Sequence, residues 1–306
     1  WICSAPMAAI SVRGLRKSYG SLEAVRGVDI EIAEGEVFAL LGPNGAGKTT
    51  TVEILEGHRR RDAGDVSVLG SDPARAGRAF RRRIGIVLQS TGINQYLTVG
   101  EIVEQYRGFY PNPRPLDEIL TLVGLDEKRD ARVRKLSGGQ QRRLDVAIGL
   151  AGNPDLLFLD EPTTGFDPAA RRGAWEMVKG LKELGKTILL TTHYMDEATA
   201  LADRVAIITA GRIVAEGPPA ELTGRDDRAT IIRFRLPPKA PALPRALKAK
   251  ATVSAAGFEL RTDEPTTVLN ELTTWAIAKG LTLDGLEVAR PSLEDVYLEL
   301  TREAEA

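Results

Sequence analysis

A short apolar run that leads directly into a glycine-rich loop constrains the fold of this chain more than any other feature. Residues Val37–Leu41 predict a buried strand, and the loop Gly42–Thr49 reads Gly-Pro-Asn-Gly-Ala-Gly-Lys-Thr. The loop matches the G-x-x-x-x-G-K-[ST] pattern at each fixed position, and the residues that follow, through Glu56, predict a helix closed by Gly57. Strand, loop and helix in this order predict an α/β domain built around a phosphate-binding loop.

The residue types in this loop suit the binding of a polyphosphate. Its glycines allow successive backbone N–H groups to face phosphate oxygens, and the helix directs its positive dipole end toward the same anion. Lys48 adds a positive charge for the β- and γ-phosphates, and Thr49 adds a hydroxyl ligand for Mg²⁺. Kinases, GTPases and ATPases share such a loop, so it predicts nucleotide binding without choosing among them. The predicted binding residues are Gly42, Pro43, Asn44, Gly45, Ala46, Gly47, Lys48, Thr49 and Thr50.

A second glycine-containing segment, with the sequence LSGGQ, runs from Leu136 to Gln140. Ser137 and Gln140 form a capping-box pattern, and apolar residues continue at helical spacing to Ala151, which predicts a helix that begins at Ser137. Glycines at a helix start lower its stability, and they are tolerable where a phosphate must approach the backbone. The alternative interpretation is a capped surface helix that binds no phosphate. The presence of the Gly42 loop in the same chain makes that alternative less favoured.

A pair of carboxylates follows another apolar run. Residues Asp155–Asp160 predict a buried strand that ends in a carboxylate, and Glu161 comes directly after it. At the carboxyl end of a strand, Asp160 is suited to hold Mg²⁺, and Glu161 is suited to orient or deprotonate an attacking water. An acidic turn before Pro162 is the alternative interpretation.

Together, the GPNGAGKTT loop and the LSGGQ segment resemble the ATP-binding subunits of ABC transporters. The resemblance covers Ile10 to about Leu222, with all motifs in the family's order and spacing. It implies ATP and Mg²⁺ as cofactors. The catalytic residues that it implies are Glu161, His193 and Lys48.

Single residues are assigned further roles by this resemblance. His193 follows the predicted strand Lys186–Thr192 and matches the switch histidine that touches the γ-phosphate, and Tyr19 matches the aromatic residue that stacks on adenine. Gln89 matches the glutamine that links the metal site to the helical subdomain. Asp167 matches the D-loop, although Phe166 stands where the family usually has Leu. The resemblance also places Ser137, Gly138, Gly139 and Gln140 against ATP, and Thr49, Gln89 and Asp160 at the metal.

The subfamily is indicated by two other stretches. Arg142-Arg143-Leu144-Asp145 and the segment 291–297, PSLEDVY, are similar to the daunorubicin-type exporter ATPases of bacteria. This similarity implies export of a drug-like or antibiotic-like small molecule through a separate integral-membrane permease. It also implies a second ATP-binding subunit, expected as a homodimer, and a location at the cytoplasmic face of the membrane. A soluble ABC ATPase that acts on ribosomes or nucleic acid is the alternative, and a nucleotide kinase would leave LSGGQ and His193 without a role.

Composition limits the classes of partner. The 306 residues carry a net charge of −1, which gives no general electrostatic reason to bind nucleic acid. No apolar stretch reaches the roughly 18 residues of a membrane span, so we expect membrane association only through the permease. The one cysteine, Cys3, excludes an internal disulfide. Met7 is the expected natural start of the chain.

Two domains are predicted along the chain. We expect an ABC-type ATP-binding domain over residues 7–223, a P-loop (RecA-like) core with an antiparallel strand pair within Ile10–Ile32 and an inserted α-helical subdomain at about 92–140. Residues Arg204–Ala215 predict a hairpin. A charged and then proline-rich stretch after Gly224 marks a boundary, and residues 224–306 predict a small α+β accessory domain.

Overall fold

The computed structural model describes residues 8–88, 92–223, 230–238, 240–254 and 257–305. The chain divides into two compact units, one that holds the residues up to Pro219 together with the chain end from Thr301, and one that holds Ala220–Leu300. The domain limits at residues 223 and 224 stay a prediction. The first unit contains β1 (Ala8–Tyr19), β2 (Leu22–Ala33), β3 (Val37–Leu41), α1 (Lys48–Leu55), β4 (Ala63–Val68), α2 (Arg78–Arg81), β5 (Ile84–Val87), α3 (Val99–Arg107), α4 (Leu116–Val123), α5 (Gly138–Leu150), β6 (Leu156–Asp160), α6 (Pro168–Glu183), β7 (Thr187–Thr192), α7 (Met195–Leu201), β8 (Arg204–Thr209) and β9 (Arg212–Gly217).

An antiparallel sheet begins the first unit. Its strand order is β2-β1-β4, and Ile10 pairs with Ile32 while Val12 pairs with Ile30. Alternate residues of these strands are fully buried, because one face of the sheet packs into the main core. The predicted strand pair is confirmed, and β4 is a third strand that the sequence patterns did not predict.

The central sheet has the strand order β5-β6-β7-β3-β8-β9, in which β5 to β8 run parallel and β9 runs antiparallel. The P-loop strand β3 lies between β7 and β8, so each residue of β3 is buried. The carboxyl ends of β3, β6 and β7 therefore meet at one edge. The predicted hairpin is confirmed as β8 and β9, and its turn residues Ala210 and Gly211 have φ of 46° and 78°, the left-handed values that a tight hairpin turn requires.

Helices replace strands between the two halves of the sheet. Both α3 and α5 begin with complete capping boxes, Thr98 with Glu101 and Ser137 with Gln140. Short 3₁₀ turns at Asp126–Lys128 and Val133–Lys135 lead into α5. The α/β fold with an inserted helical part is thereby confirmed.

The second unit is an α+β fold with its own core. Its antiparallel sheet has the order β11-β12-β10-β13, and Ile232, Phe234 and Leu260 lie in a core closed by Val268 and Leu272. On β10, Arg233 points away from that core and forms ion pairs with Glu259 and Asp295. Its elements are β10 (Thr230–Arg235), α9 (Arg245–Lys250), β11 (Ala251–Ser254), β12 (Gly257–Thr262), α10 (Pro265–Ala278) and β13 (Asp284–Ala289). The helices α8 (Pro219–Thr223) and α11 (Leu293–Glu305) cross its two limits.

Candidate functional site

The glycine-rich loop is held in a shape that only glycine permits at two positions. Gly45 and Gly47 have φ of 82° and 104°, and a Cβ at Gly47 would meet the carbonyl oxygen of Ala24 at 2.5 Å. A Cβ at Gly42 would meet the carbonyl oxygen of Ile208 at 2.3 Å. The loop therefore presents backbone N–H groups at the start of α1, where the helix dipole also favours an anion.

Lys48 is buried beneath this loop. Its ammonium donates to the carbonyl oxygens of Gly42 at 2.6 Å and Pro43 at 3.1 Å. Burial lowers the pKa of Lys48, and the nearby carboxylates of Glu161 and Asp160 only partly oppose that shift. A polyphosphate in the loop would supply the anionic partner that this buried cation favours.

The carboxylates stand at the end of β6, beside β7. Asp160 pairs with Thr191 across the two strands, and the Thr191 hydroxyl donates to Asp160 Oδ1 at 2.5 Å. The N–H of Glu161 in turn donates to the carbonyl oxygen of Thr191 at 3.1 Å and to its hydroxyl at 3.2 Å. Thr191 thus aligns both acidic residues, although no sequence pattern singled it out.

Glu161 has a left-handed backbone conformation, with φ of 46°. Its carboxylate contacts two neighbours: the Thr164 hydroxyl donates to Oε2 at 3.0 Å, and His193 Nδ1 lies 3.1 Å from Oε1. The His193 ring also packs on Tyr194 with ring centroids 4.1 Å apart. The predicted base and the predicted switch histidine are therefore in direct contact.

These side chains surround a cavity of about 620 Å³. Tyr19 lies at its margin with 40% of the residue exposed, and the charged ends of Lys17 and Arg59 lie 5.5 and 5.2 Å from its ring centroid. The available ring suits stacking on a nucleotide base. The cavity is lined by Tyr19, Leu22, Ala24, Pro43, Asn44, Gly45, Gly47, Lys48, Thr49, Thr50, Asp160, Glu161 and His193. Leu22 and Ala24 were not predicted.

The LSGGQ segment lines a different cavity, of about 510 Å³. Ser137, Gly138, Gly139 and Asp167 face it, and none of them lines the first cavity. Gln140 Oε1 instead accepts from the N–H of Ser137 at 3.0 Å and closes the capping box. The structure thus brings the Gly42 loop, the carboxylates and His193 together, and it keeps the Ser137 segment apart from them.

Among the described residues, Gly42, Ala46 and Gln140 were predicted to bind the nucleotide but line neither cavity. Gly42 and Ala46 form the buried base of the loop. Gln89 lies outside the residues that the structure describes.

The donor groups fit a magnesium ion that arrives with a nucleotide. Thr49 and Asp160 line the same cavity and offer a hydroxyl and a carboxylate oxygen. Across the described part of the chain, no three His, Cys, Asp or Glu side chains cluster as a metal site of their own. Mg²⁺ commonly binds through one or two carboxylates, substrate phosphates and water. The residues present therefore suit a Mg²⁺–nucleotide complex.

Other proteins match both units of the chain. Residues 25–164 match the family described as ABC transporter, and residues 230–292 match the C-terminal domain of ABC transporter domain-containing protein-like proteins. The Nod factor export ATP-binding protein I of Rhizobium sp. (strain N33) is 41% identical over 96% of this chain and 97% of its own length. The daunorubicin resistance ATP-binding protein DrrA2 of Streptomyces coeruleorubidus is 38% identical over 96% of this chain and 95% of its own.

Solved structures agree with these relatives. An ATP-binding cassette of an ABC transporter in its ADP conformation has a TM-score of 0.64 and 26% identity, over 70% of this chain and 92% of that one. A dimeric post-hydrolysis cassette bound to ADP and Pi has a TM-score of 0.61 and 27% identity, over 68% and 98%. Among the described helices, none combines the length and apolar character needed to cross a bilayer.

The predicted resemblance is therefore confirmed over nearly the whole chain, and its relatives do not favour a ribosome-bound or nucleic-acid-bound ATPase. A phosphate loop, a carboxylate pair and a histidine meet at one sheet edge, as an ATP-hydrolysing site requires. The chain belongs to the ABC transporter family, as an ATP-binding and ATP-hydrolysing subunit.

Proposed function

We propose that this chain hydrolyses ATP to power the export of a drug-like or antibiotic-like small molecule through a separate integral-membrane permease. One arrangement carries the proposal: Lys48, Asp160, Glu161 and His193 line a single cavity beneath the glycine-rich loop. The export and drug-resistance names of the relatives support the direction of transport and the substrate class. The same relatives support a location at the cytoplasmic face of the membrane, where the permease would hold the subunit.

Each side chain of the cavity has a proposed role. Lys48 neutralises the β- and γ-phosphates, and Tyr19 stacks on adenine. Thr49 and Asp160 would hold Mg²⁺, with Gln89 as a further ligand, and the ion would supply positive charge against the phosphate oxygens. Glu161 then orients the attacking water, and His193 holds Glu161 and the γ-phosphate in line through its contact with Oε1.

Hydrolysis proceeds by in-line attack of water on the γ-phosphorus. The water oxygen forms a bond to phosphorus while the bond from phosphorus to the β–γ bridging oxygen breaks, and ADP leaves with the electron pair. Glu161 accepts the proton that the water loses, so ADP and phosphate are the products. Placement and charge stabilisation carry most of the catalysis in such a reaction.

A second copy of the chain would complete each site. The Ser137 cavity and the Gly42-loop cavity share no lining residue. We propose a homodimer in which Ser137, Gly138, Gly139 and Asp167 of one subunit cover the ATP held by its partner. A hydrogen bond to a charged group contributes about 1.5–3 kcal/mol, so a few such contacts would hold the dimer until hydrolysis removes the γ-phosphate. The surface around Gly92–Tyr110, within the helical subdomain, would contact the permease, and no nucleic acid is involved.

Glu161→Gln provides the test. We expect this variant to bind ATP with the parent affinity and to lose turnover, because the amide keeps the shape of the carboxylate and cannot accept the proton. ATP binding by fluorescence and phosphate release would be measured on the same preparation. Glu176→Gln on the exposed face of α6 is the matched control and should hydrolyse ATP normally.

The trapped variant also identifies the partner. Gentle crosslinking in the native host, followed by mass spectrometry, should recover a polytopic membrane protein. Parent-like turnover in Glu161→Gln would remove Glu161 from the reaction, and recovery of ribosomal proteins in place of a permease would contradict the transport function.

A further inference from the structure

Arg142, a buried residue of the α5 helix, binds the backbone on both sides of Glu161. Only 8% of the residue is exposed. Its Nη2 donates to the carbonyl oxygen of Asp160 at 2.6 Å, and its Nε donates to that of Pro162 at 3.3 Å. Its Nη1 donates to the carbonyl oxygen of Leu88, at the end of β5. One guanidinium therefore joins α5 to the carboxyl ends of two adjacent strands.

Glu161 lies between two of these acceptors, and its backbone conformation is strained. Glu161 is not glycine, yet its φ of 46° lies in the left-handed region. Such a conformation costs free energy and persists only where the surroundings hold it in place. The left-handed turn brings the carbonyl groups of Asp160 and Pro162 onto the same guanidinium, so the contacts of Arg142 fix the turn.

Burying this cation is itself unfavourable. Loss of hydration lowers the pKa of Arg142, and the carboxylates of Asp145, Asp160 and Glu197 act against that shift. Asp145 lies one turn along α5, with its carboxylate 3.7 Å from Nη1. The planar fork of arginine can serve several carbonyl oxygens at once, whereas the single ammonium of lysine cannot serve three acceptors arranged around a plane.

We propose that Arg142 is a positioning residue for ATP hydrolysis, which holds Glu161 in its left-handed conformation and links it to the helix that begins at Ser137. This inference rests on the proposed role of Glu161 in orienting water. It also connects the two cavities within one subunit. If ATP bound at Ser137 displaces α5, then Arg142 would transmit that movement to Glu161.

The test compares Arg142→Lys and Arg142→Gln with the parent chain. Arg143→Lys is the matched control, because it makes the same change at the next position of α5, where the side chain is only half-buried. For both Arg142 variants we expect kcat to fall by about tenfold or more and KM for ATP to change by less than about twofold, since the loop that binds ATP is untouched. The control should match the parent in both constants.

A purely structural role would give a different result. Rates are therefore divided by the number of ATP-binding sites titrated in each preparation, and thermal unfolding is recorded in parallel. A parent-like kcat per titrated site in both variants would overturn the inference, even if the variants melt earlier.

A double mutant separates this inference from the proposed function. If Arg142 acts through Glu161, then adding Arg142→Lys to Glu161→Gln should not slow single-turnover hydrolysis further, because effects of residues that act as a unit are not additive. A further loss of about tenfold in the double mutant would mean that Arg142 acts independently of Glu161 and would overturn the inference. Parent-like turnover in Glu161→Gln alone would instead refute the proposed role of Glu161.

Discussion

At the scale of single residues, Glu56 is an unusual carboxyl group near the nucleotide cavity. It caps the end of α1 and is 6% exposed. Burial raises its pKa to about 8, and the negative charges of Asp160 and Glu53 add to the shift. His58 Nδ1 lies 3.3 Å from its carboxylate. Glu56 therefore holds a proton in the folded chain at pH values where it would be ionised in an unfolded chain.

This proton makes stability depend on pH. Between the ordinary value of 4.5 and about 8, the folded state binds one more proton than the unfolded state, so the free energy of unfolding falls as pH rises. The slope from this group is about 1.4 kcal/mol per pH unit. Glu56→Gln removes this contribution to the slope, because the amide does not titrate. We therefore expect the variant to gain stability relative to the parent as pH rises from 4.5 to about 8.

Urea unfolding at roughly pH 5 and pH 7.5 measures the difference. Glu176→Gln, which alters an exposed carboxylate paired with Lys179 on α6, serves as the control and should leave the slope in place. Equal pH dependence in the Glu56 variant and the parent would show that Glu56 is ionised in the folded state.

The sequence predicts the ligand-facing residues better than the residues that support them. Lys48 and Thr49 follow from a motif with fixed spacing, and Asp160 and Glu161 follow from their position after a buried run. The contacts of Arg142 depend on which face of α5 meets the strand ends, and spacing along the chain does not reveal that. From the sequence, Arg142 contributes only to the similarity with the daunorubicin-type exporter ATPases, and no role in the site is predicted for it.

At the scale of elements, α5 lies unusually close to β5. A Cβ on Gly85 would meet the carbonyl oxygen of Gly149 at 2.4 Å and a methyl of Leu157 at 2.7 Å. A Cβ on Gly149 would meet Val87 at 2.9 Å. The two glycines thus set the distance between the helix that begins at Ser137 and the strand that ends before Gln89.

Gly85→Ala should force this pair of elements apart. Overpacking of a core typically costs about 1–3 kcal/mol, and a clash with a backbone oxygen cannot be relieved by a rotamer change. We expect a lower free energy of unfolding in urea. Gly180→Ala is the control, since a Cβ there meets nothing within 4 Å and alanine favours the interior of α6 by up to about 1 kcal/mol. An unchanged stability in Gly85→Ala would contradict the close approach.

Elements with strong local patterns were predicted well, and those without were missed. The run Val37–Leu41 coincides with β3, and the predicted capping box that begins α5 is present. By contrast, β13 is mostly exposed and includes Gly285, so neither alternation nor an apolar run marks it. The strands β11 and β12 were missed as well, because their pairing is decided by contacts with β10.

At the scale of the whole molecule, the proposed dimer predicts that two inactive chains can restore activity together. Lys48→Ala removes the loop cation and Ser137→Ala removes the covering hydroxyl, and each homodimer should be inactive. In a mixed dimer, the Lys48 of one chain and the Ser137 of the other meet at one of the two sites. Steady-state phosphate release from an equal mixture should therefore reach about one quarter of the parent rate.

Mixing the Lys48→Ala chain with Glu161→Gln is the negative control. The Lys48→Ala chain together with Glu161→Gln leaves no site with both Lys48 and Glu161, so that mixture should stay inactive. If the first mixture also stays inactive although an affinity tag on one variant co-purifies the other, then the two cavities do not cooperate across subunits.

The order of strands in the central sheet has a consequence for how this protein is made. β3 leaves the ribosome early, yet its two neighbours are β7 and β8, which end at Thr192 and Thr209. At about 5–20 residues per second, synthesis leaves the apolar strand without its permanent partners for on the order of ten seconds or more. We expect the nascent chain to need a chaperone over this interval and to become resistant to protease only after β8 has emerged.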